Sequence, residues 1–169
     1  YAERQGSAGP VAGGYTRVLG EFGFDAALRA SGTFDYRNPT WKIDGLRHLM
    51  TPRLSYRSIP GAERGRAWIP RIDREAFSTY LQPLGLSGTR SLDDLRPTHT
   101  LRLGLDNTLQ TRDPALGARD LLSLNLAADL RFRRPPGDHE LSEIHAEIAA
   151  QPAPWLQVDV YQSASPRSG

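Results

Sequence analysis

Residues 121–133, L-L-S-L-N-L-A-A-D-L-R-F-R, decide the fold class. From Leu122 to Phe132 every second residue is apolar, and the residues between are small, polar or charged. A period of two puts each set on its own face of a strand, whereas leucine at every second position would surround a helix instead of striping it. The run also exceeds the 5–6 residues typical of strands in globular proteins and matches the roughly 9–11 of a strand tilted across a bilayer. Residues 98–110 repeat the pattern, with Leu101, Leu103, Leu105 and Leu109 on one side and Arg102, Gly104, Asp106, Thr108 and Gln110 on the other. Asn107 breaks the apolar set.

Outward from these two strands, the alternation predicts further ones over residues 15–30, 46–59, 141–150 and 155–162. Pro52 falls inside the second of these and predicts an irregularity there. Residues 31–45, with Gly32, Asn38-Pro39 and Gly45, read as a turn region with a short extended piece around Phe34. Residues 60–97 form a long connection, in which Trp68, Ile69, Phe77, Tyr80 and Leu81 predict that it folds back onto something. Strand parity places this long link on one side and the short links after 110 and 150 on the other, as in barrels with long extracellular loops and short periplasmic turns. The expected fold is therefore all-β, an antiparallel transmembrane β-barrel segment of about six strands and an arc of a larger barrel. Residues 1–169 then read as one partial outer-membrane β-barrel domain.

Composition bounds the alternatives. The 169 residues carry 21 basic and 19 acidic side chains, a net charge of +2 that leaves no electrostatic footprint for nucleic acid. There is no cysteine, so disulfides and thiolate metal sites are excluded. Mean hydropathy is −0.49, and no apolar run approaches the roughly 18 residues of a membrane helix. The first residue is Tyr1, and the chain reads as an excerpt of a longer protein.

Four segments resemble a known family. They are L-R-H-L-M-T-P-R-L-S-Y-R-S-I-P at 46–60, L-D-N-T-L-Q-T-R at 105–112, D-L-L-S-L-N-L-A-A-D-L-R-F at 120–132 and P-W-L-Q-V-D-V-Y at 154–161. They resemble the barrel strands of the lipopolysaccharide-assembly proteins of the LptD type. The resemblance implies lipopolysaccharide transport and assembly at the cell outer membrane of a Gram-negative-type bacterium. The implied partners are lipopolysaccharide, outer-membrane lipid, a plug lipoprotein of the LptE type and periplasmic Lpt bridge components. The family's jelly-roll domain and paired cysteines have no counterpart here, so no gate residue is assigned.

In that reading the mechanism is transport without bond chemistry, with no enzyme activity and no cofactor. Arg102, Asp106, Gln110, Asn125, Asp129, Arg131, Glu143, Glu147, Gln157 and Asp159 are the lumen-facing candidates, and Arg102, Arg131 and Arg133 suit phosphate. Leu101, Leu103, Leu105, Leu109, Leu122, Leu124, Leu126, Leu130, Phe132, Ile144, Ile148, Leu156, Val158 and Val160 are the lipid-facing candidates. Parity turns Tyr161 inward, while Trp155 suits an aromatic girdle. His48, His99, His139 and His145 have no metal-ligand spacing, and no nucleophile elbow or dinucleotide fingerprint is present. Two other classes remain open: a general outer-membrane porin or solute channel, and a soluble all-β ligand-binding protein whose leucines pack a core or line a cavity.

Overall fold

The computed structural model describes residues 18–61, 80–88, 97–113, 117–134, 136–137 and 139–166. They form one antiparallel sheet of seven strands: β1 Phe22–Ala27, β2 Ala30–Asn38, β3 Ile43–Ile59, β4 Thr98–Asp113, β5 Gly117–Arg133, β6 Ile144–Ala153 and β7 Leu156–Ala164. Strands from β3 onward pair in chain order, while β1 and β2 both pair with the outer edge of β3. From β2 onward the order is a meander, in which each strand lies beside its sequence neighbour.

The region read as a strand over 15–30 followed by turns is one interrupted strand. Ala27 opposes Arg53 and Ala30 opposes Met50, so β1 and β2 keep a single register along β3. The gap at Leu28–Arg29 has a physical cause. Leu28 donates its backbone N–H to the carbonyl of Pro52 (3.1 Å), but Pro52 has no N–H to return. On its other side Pro52 stays in register opposite Leu105. Proline thus breaks the rim of the sheet and leaves β3 whole. The β2–β3 hairpin turns at Pro39–Lys42, where Asn38 Oδ1 accepts from the Trp41 N–H (3.2 Å).

Three further irregularities adjust the leucine-rich strands, one of them at Phe132, the extra residue between the pairs His99–Arg133 and Thr100–Arg131. Leu109 opposes Leu122 but Gln110 opposes Asp120, so Leu121 is the extra residue of a bulge and is buried. A third extra residue lies between Ala127–His145 and Leu130–Leu141, where Ser142 Oγ accepts from the Asp129 N–H (2.8 Å). Buried Ser142 therefore replaces a ladder bond that the bulge removes.

The barrel expected from strand length is not formed. β7 at one end and β1 with β2 at the other do not pair with each other, so the sheet stays open. Alternation over a long run reports two unlike faces, and an open sheet satisfies it as well as a closed wall does. An open edge in hydrocarbon would leave backbone groups unpaired at several kcal/mol each. The transmembrane barrel segment and the outer-membrane location are corrected accordingly. No helix among the described residues is long and apolar enough to cross a membrane.

The sheet has two chemically distinct faces. One carries Phe24, Tyr56, Leu101 and Leu130 in one cross-strand row, and Met50, Asn107, Leu124, Ile148 and Val160 in another. All fourteen residues expected to face lipid are apolar, and their strand parity puts them on this side. Several remain open to solvent, among them Leu103, Leu122, Phe132, Ile144, Val158 and Val160. At one end Tyr56 gathers Phe22, Phe24 and His99, with Tyr56 Oη and His99 Nε2 2.6 Å apart. The opposite face is polar and carries the site.

Candidate functional site

A hollow lies on the polar face because two adjacent strands place small residues side by side. Arg53, Gly104, Ala127, His145 and Ser163 form one cross-strand row, and Gly104 and Ala127 occupy its middle. The neighbouring rows are larger. One runs Thr51, Asp106, Asn125, Glu147 and Tyr161; the other runs Asp25, Ser55, Arg102 and Asp129. The result is a cavity of about 550 Å³ with a short floor and tall walls. That size falls in the range of small-molecule sites.

Residues 80–88 cover the hollow, the part of the 60–97 connection that the structure describes. Its Leu86–Gly88 portion is a 3₁₀ turn. Three contacts from different strands or their approaches hold the segment. Arg102 Nη2 donates to the Gln82 carbonyl (2.6 Å), the Leu86 N–H donates to Glu21 Oε2 (2.5 Å), and the Tyr80 ring lies 4.5 Å from that of Tyr161. The expectation that Tyr80 and Leu81 fold back falls on described residues, and both line the cavity. Trp68, Ile69 and Phe77, named with them, lie outside the described residues.

The guanidiniums around the hollow are already engaged. Arg102 Nε donates to Asp129 Oδ1 (2.7 Å) and Nη2 donates to Oδ2 (3.0 Å), a two-point pair whose carboxylate is buried. Arg53 pairs with Asp106. Arg57 Nη2 donates to Asp25 Oδ2 (2.5 Å), while Nη1 reaches the carbonyls of Tyr56 (2.8 Å) and Phe24 (3.1 Å). The Arg57 hydrogen bond, followed by that of Ser55, holds the Asp25 carboxyl below its ordinary range, and Asp25 raises Arg57 in turn. Gly23 makes this possible. A Cβ there would stand 2.1 Å from the Tyr56 carbonyl oxygen and 2.5 Å from the Arg57 side chain.

At the other end of the cavity the balance reverses. Tyr161 Oη meets His145 Nδ1, and partial burial raises the phenol, with Tyr80, Glu143 and Glu147 adding to the shift. Glu147 lines the cavity without an ion pair among the described residues. Overall the lining sets Arg53, Arg57 and Arg102 against Glu21, Asp25, Asp106 and Glu147. A free anion therefore meets no uncompensated cation.

Of the ten residues expected to face a lumen, Arg102, Asp106, Asn125 and Glu147 meet around this cavity, and Asp129 anchors it from behind Arg102. Gln110 lies on the same face but farther along, bonded through Nε2 to Asp120 Oδ1 (2.7 Å). Arg131 opposes Thr100, Asp159 opposes Ala149, and Gln157 Nε2 donates to Asp159 Oδ2 (2.9 Å). Glu143 precedes β6 and accepts from Ser165 Oγ (3.1 Å). The phosphate role considered for Arg102, Arg131 and Arg133 gains nothing, since Arg102 is committed and the other two do not line the cavity. Sequence reasoning missed Gly104, Ala127 and His145 as site residues. The pairing of two small residues across strands is visible only once register is known.

Among the described residues no group of three or more His, Asp or Glu stands close enough to hold a metal ion. No protein-family model, no curated protein and no solved structure matches the chain, which overturns the resemblance to the lipopolysaccharide-assembly family and the export function and partners drawn from it.

Proposed function

We propose that the chain is a non-catalytic, all-β ligand-binding module that holds a small, neutral, polyhydroxylated solute between the polar face of its sheet and residues 80–88. The cavity over Gly104 and Ala127 carries this reading. Its arginines are neutralised by Asp25, Asp106 and Asp129, which disfavours an anionic ligand. What it offers instead are neutral and acceptor groups: Ser55, Asn125, Glu147 and the two tyrosines. Several such groups converging in a partly enclosed space suit hydroxyl groups, which both donate and accept. The same neutrality disfavours nucleic acid, whose affinity comes from uncompensated cations.

Ala127→Leu tests the reading, because it fills the floor of the hollow and leaves every ion pair in place. Calorimetric titration with maltose as the probe is expected to show saturable binding to the unaltered chain and at least a tenfold loss in the variant. Inorganic phosphate is expected to give no heat of binding. Equal maltose affinity in both proteins, or none in either, would overturn the assignment.

A further inference from the structure

We infer that the opposite, apolar face carries a second binding site, for a straight-chain carboxylate. The site is a recess of about 530 Å³ lined by Phe34, Leu46, His48, Asn107, Leu109, Leu122 and Leu124, contributed by β2, β3, β4 and β5. Gly32 opens it. This glycine opposes His48, and its missing side chain leaves room beside the Phe34 ring, which stands 3.6 Å from where a Cβ would be.

The recess holds two polar groups at positions where the alternation calls for apolar ones. Asn107 sits in the row of Met50, Leu124 and Ile148. His48 sits in the next row, between Gly32 and Leu109. Because Met50 opposes Asn107 and His48 opposes Leu109, the two are diagonal neighbours on adjacent strands, a separation that long side chains and a small group between them can span. Asn107 Nδ2 makes one long bond to the Leu124 carbonyl (3.4 Å), and its second N–H is unused among the described residues. Neither ring nitrogen of His48 has a hydrogen-bond partner among them. Both residues are half-buried, so these donors face the recess and are open to a ligand there.

The occupant follows from charge and shape. No carboxylate lines the recess, and His48 is its ionisable residue, so an anionic head meets two donors and no repulsion. The rest of the wall is leucine and phenylalanine, which favours an unbranched alkyl body over a polar one. This site is independent of the polar cavity, which lies on the other side of the sheet.

Decanoate, kept below its micelle threshold, is the probe. Titrated into the unaltered chain it is expected to saturate at one molecule per chain and to shift the His48 ring and Asn107 side-chain amide resonances. Decanol, which lacks the anionic head, is expected to bind at least tenfold more weakly. Asn107→Leu keeps the apolar bulk and removes the donor, and is expected to weaken decanoate at least fivefold while leaving decanol unchanged or tighter. Absence of binding, uptake that rises without saturation, or shifts that spare His48 and Asn107 would each overturn the site. The resonance measurement needs no variant, so it decides the matter even where a substitution unfolds the sheet.

Discussion

The Arg102–Asp129 pair should behave as a strongly coupled unit, and a double-mutant cycle measures it. The Asp129 side chain is 8% exposed and that of Arg102 22%, and two hydrogen bonds join them. Breaking one partner of a fully buried pair costs about 3–5 kcal/mol, chiefly by stranding the other charge. Arg102→Met strands the buried carboxylate and also releases Gln82, so a cost of about 2–4 kcal/mol is expected, trimmed for the partial exposure of the arginine. Asp129→Leu leaves a guanidinium that keeps the Gln82 carbonyl and reaches solvent, which lowers the expected cost to about 1–2 kcal/mol. In the double variant no charge is stranded, and its cost should stay near that of Asp129→Leu alone. The coupling then equals the Arg102→Met cost, about 3 kcal/mol, or roughly 150-fold in the folding equilibrium. Urea denaturation followed by far-ultraviolet circular dichroism supplies the four stabilities, with an unchanged m-value as the sign that all four unfold alike. A coupling under about 0.5 kcal/mol would refute the claim that the two residues act as one buried unit.

Arg119 is buried and spends its guanidinium on three carbonyls from two turns: Gln151 (2.9 Å), Trp41 (3.1 Å) and Lys42 (3.5 Å). Arg119→Met should cost about 2–3 kcal/mol and speed amide exchange in both turns, while Arg119→Lys recovers only part, because an ammonium has no planar fork. Gly23→Val should detach β1 from β3, seen as lost exchange protection over residues 22–27 with β4 and β5 unchanged; retained protection would contradict the close approach at Tyr56. The depressed Asp25 carboxyl stabilises the β1–β3 junction above its unfolded-state range, and that contribution disappears as pH falls through its folded value. Exchange protection of β1 should therefore weaken on acidification, and Asp25→Asn should remove the pH dependence; an unaltered acid profile in that variant would assign the effect to another group.

The parts of the fold legible from sequence were those that period two specifies. Over residues 98–110 and 121–133, leucine at alternate positions located β4 and β5 and separated their faces. Closure was not legible, because nothing in a strand's own residues states what pairs with its outer edge. Proline at position 52 was read as a fault in its own strand, whereas its missing N–H acts on the neighbouring one and divides β1 from β2. Arg119 and Ser142 resemble solvated charges and hydroxyls beside turns, and only the bulges nearby draw them inward. The cavity was half legible: Arg102, Asp106, Asn125 and Glu147 followed from parity, but its emptiness depends on Gly104 and Ala127 meeting across strands.

The interruption opposite Pro52 has a mechanical consequence. A force that peels the β1 end of the rim reaches, at Leu28, a rung with one bond in place of two, so β1 parts from β3 separately from the hairpin of β2 with β3. The two halves of that border can thus loosen one at a time, giving the molecule a compliant margin beside a stiff centre.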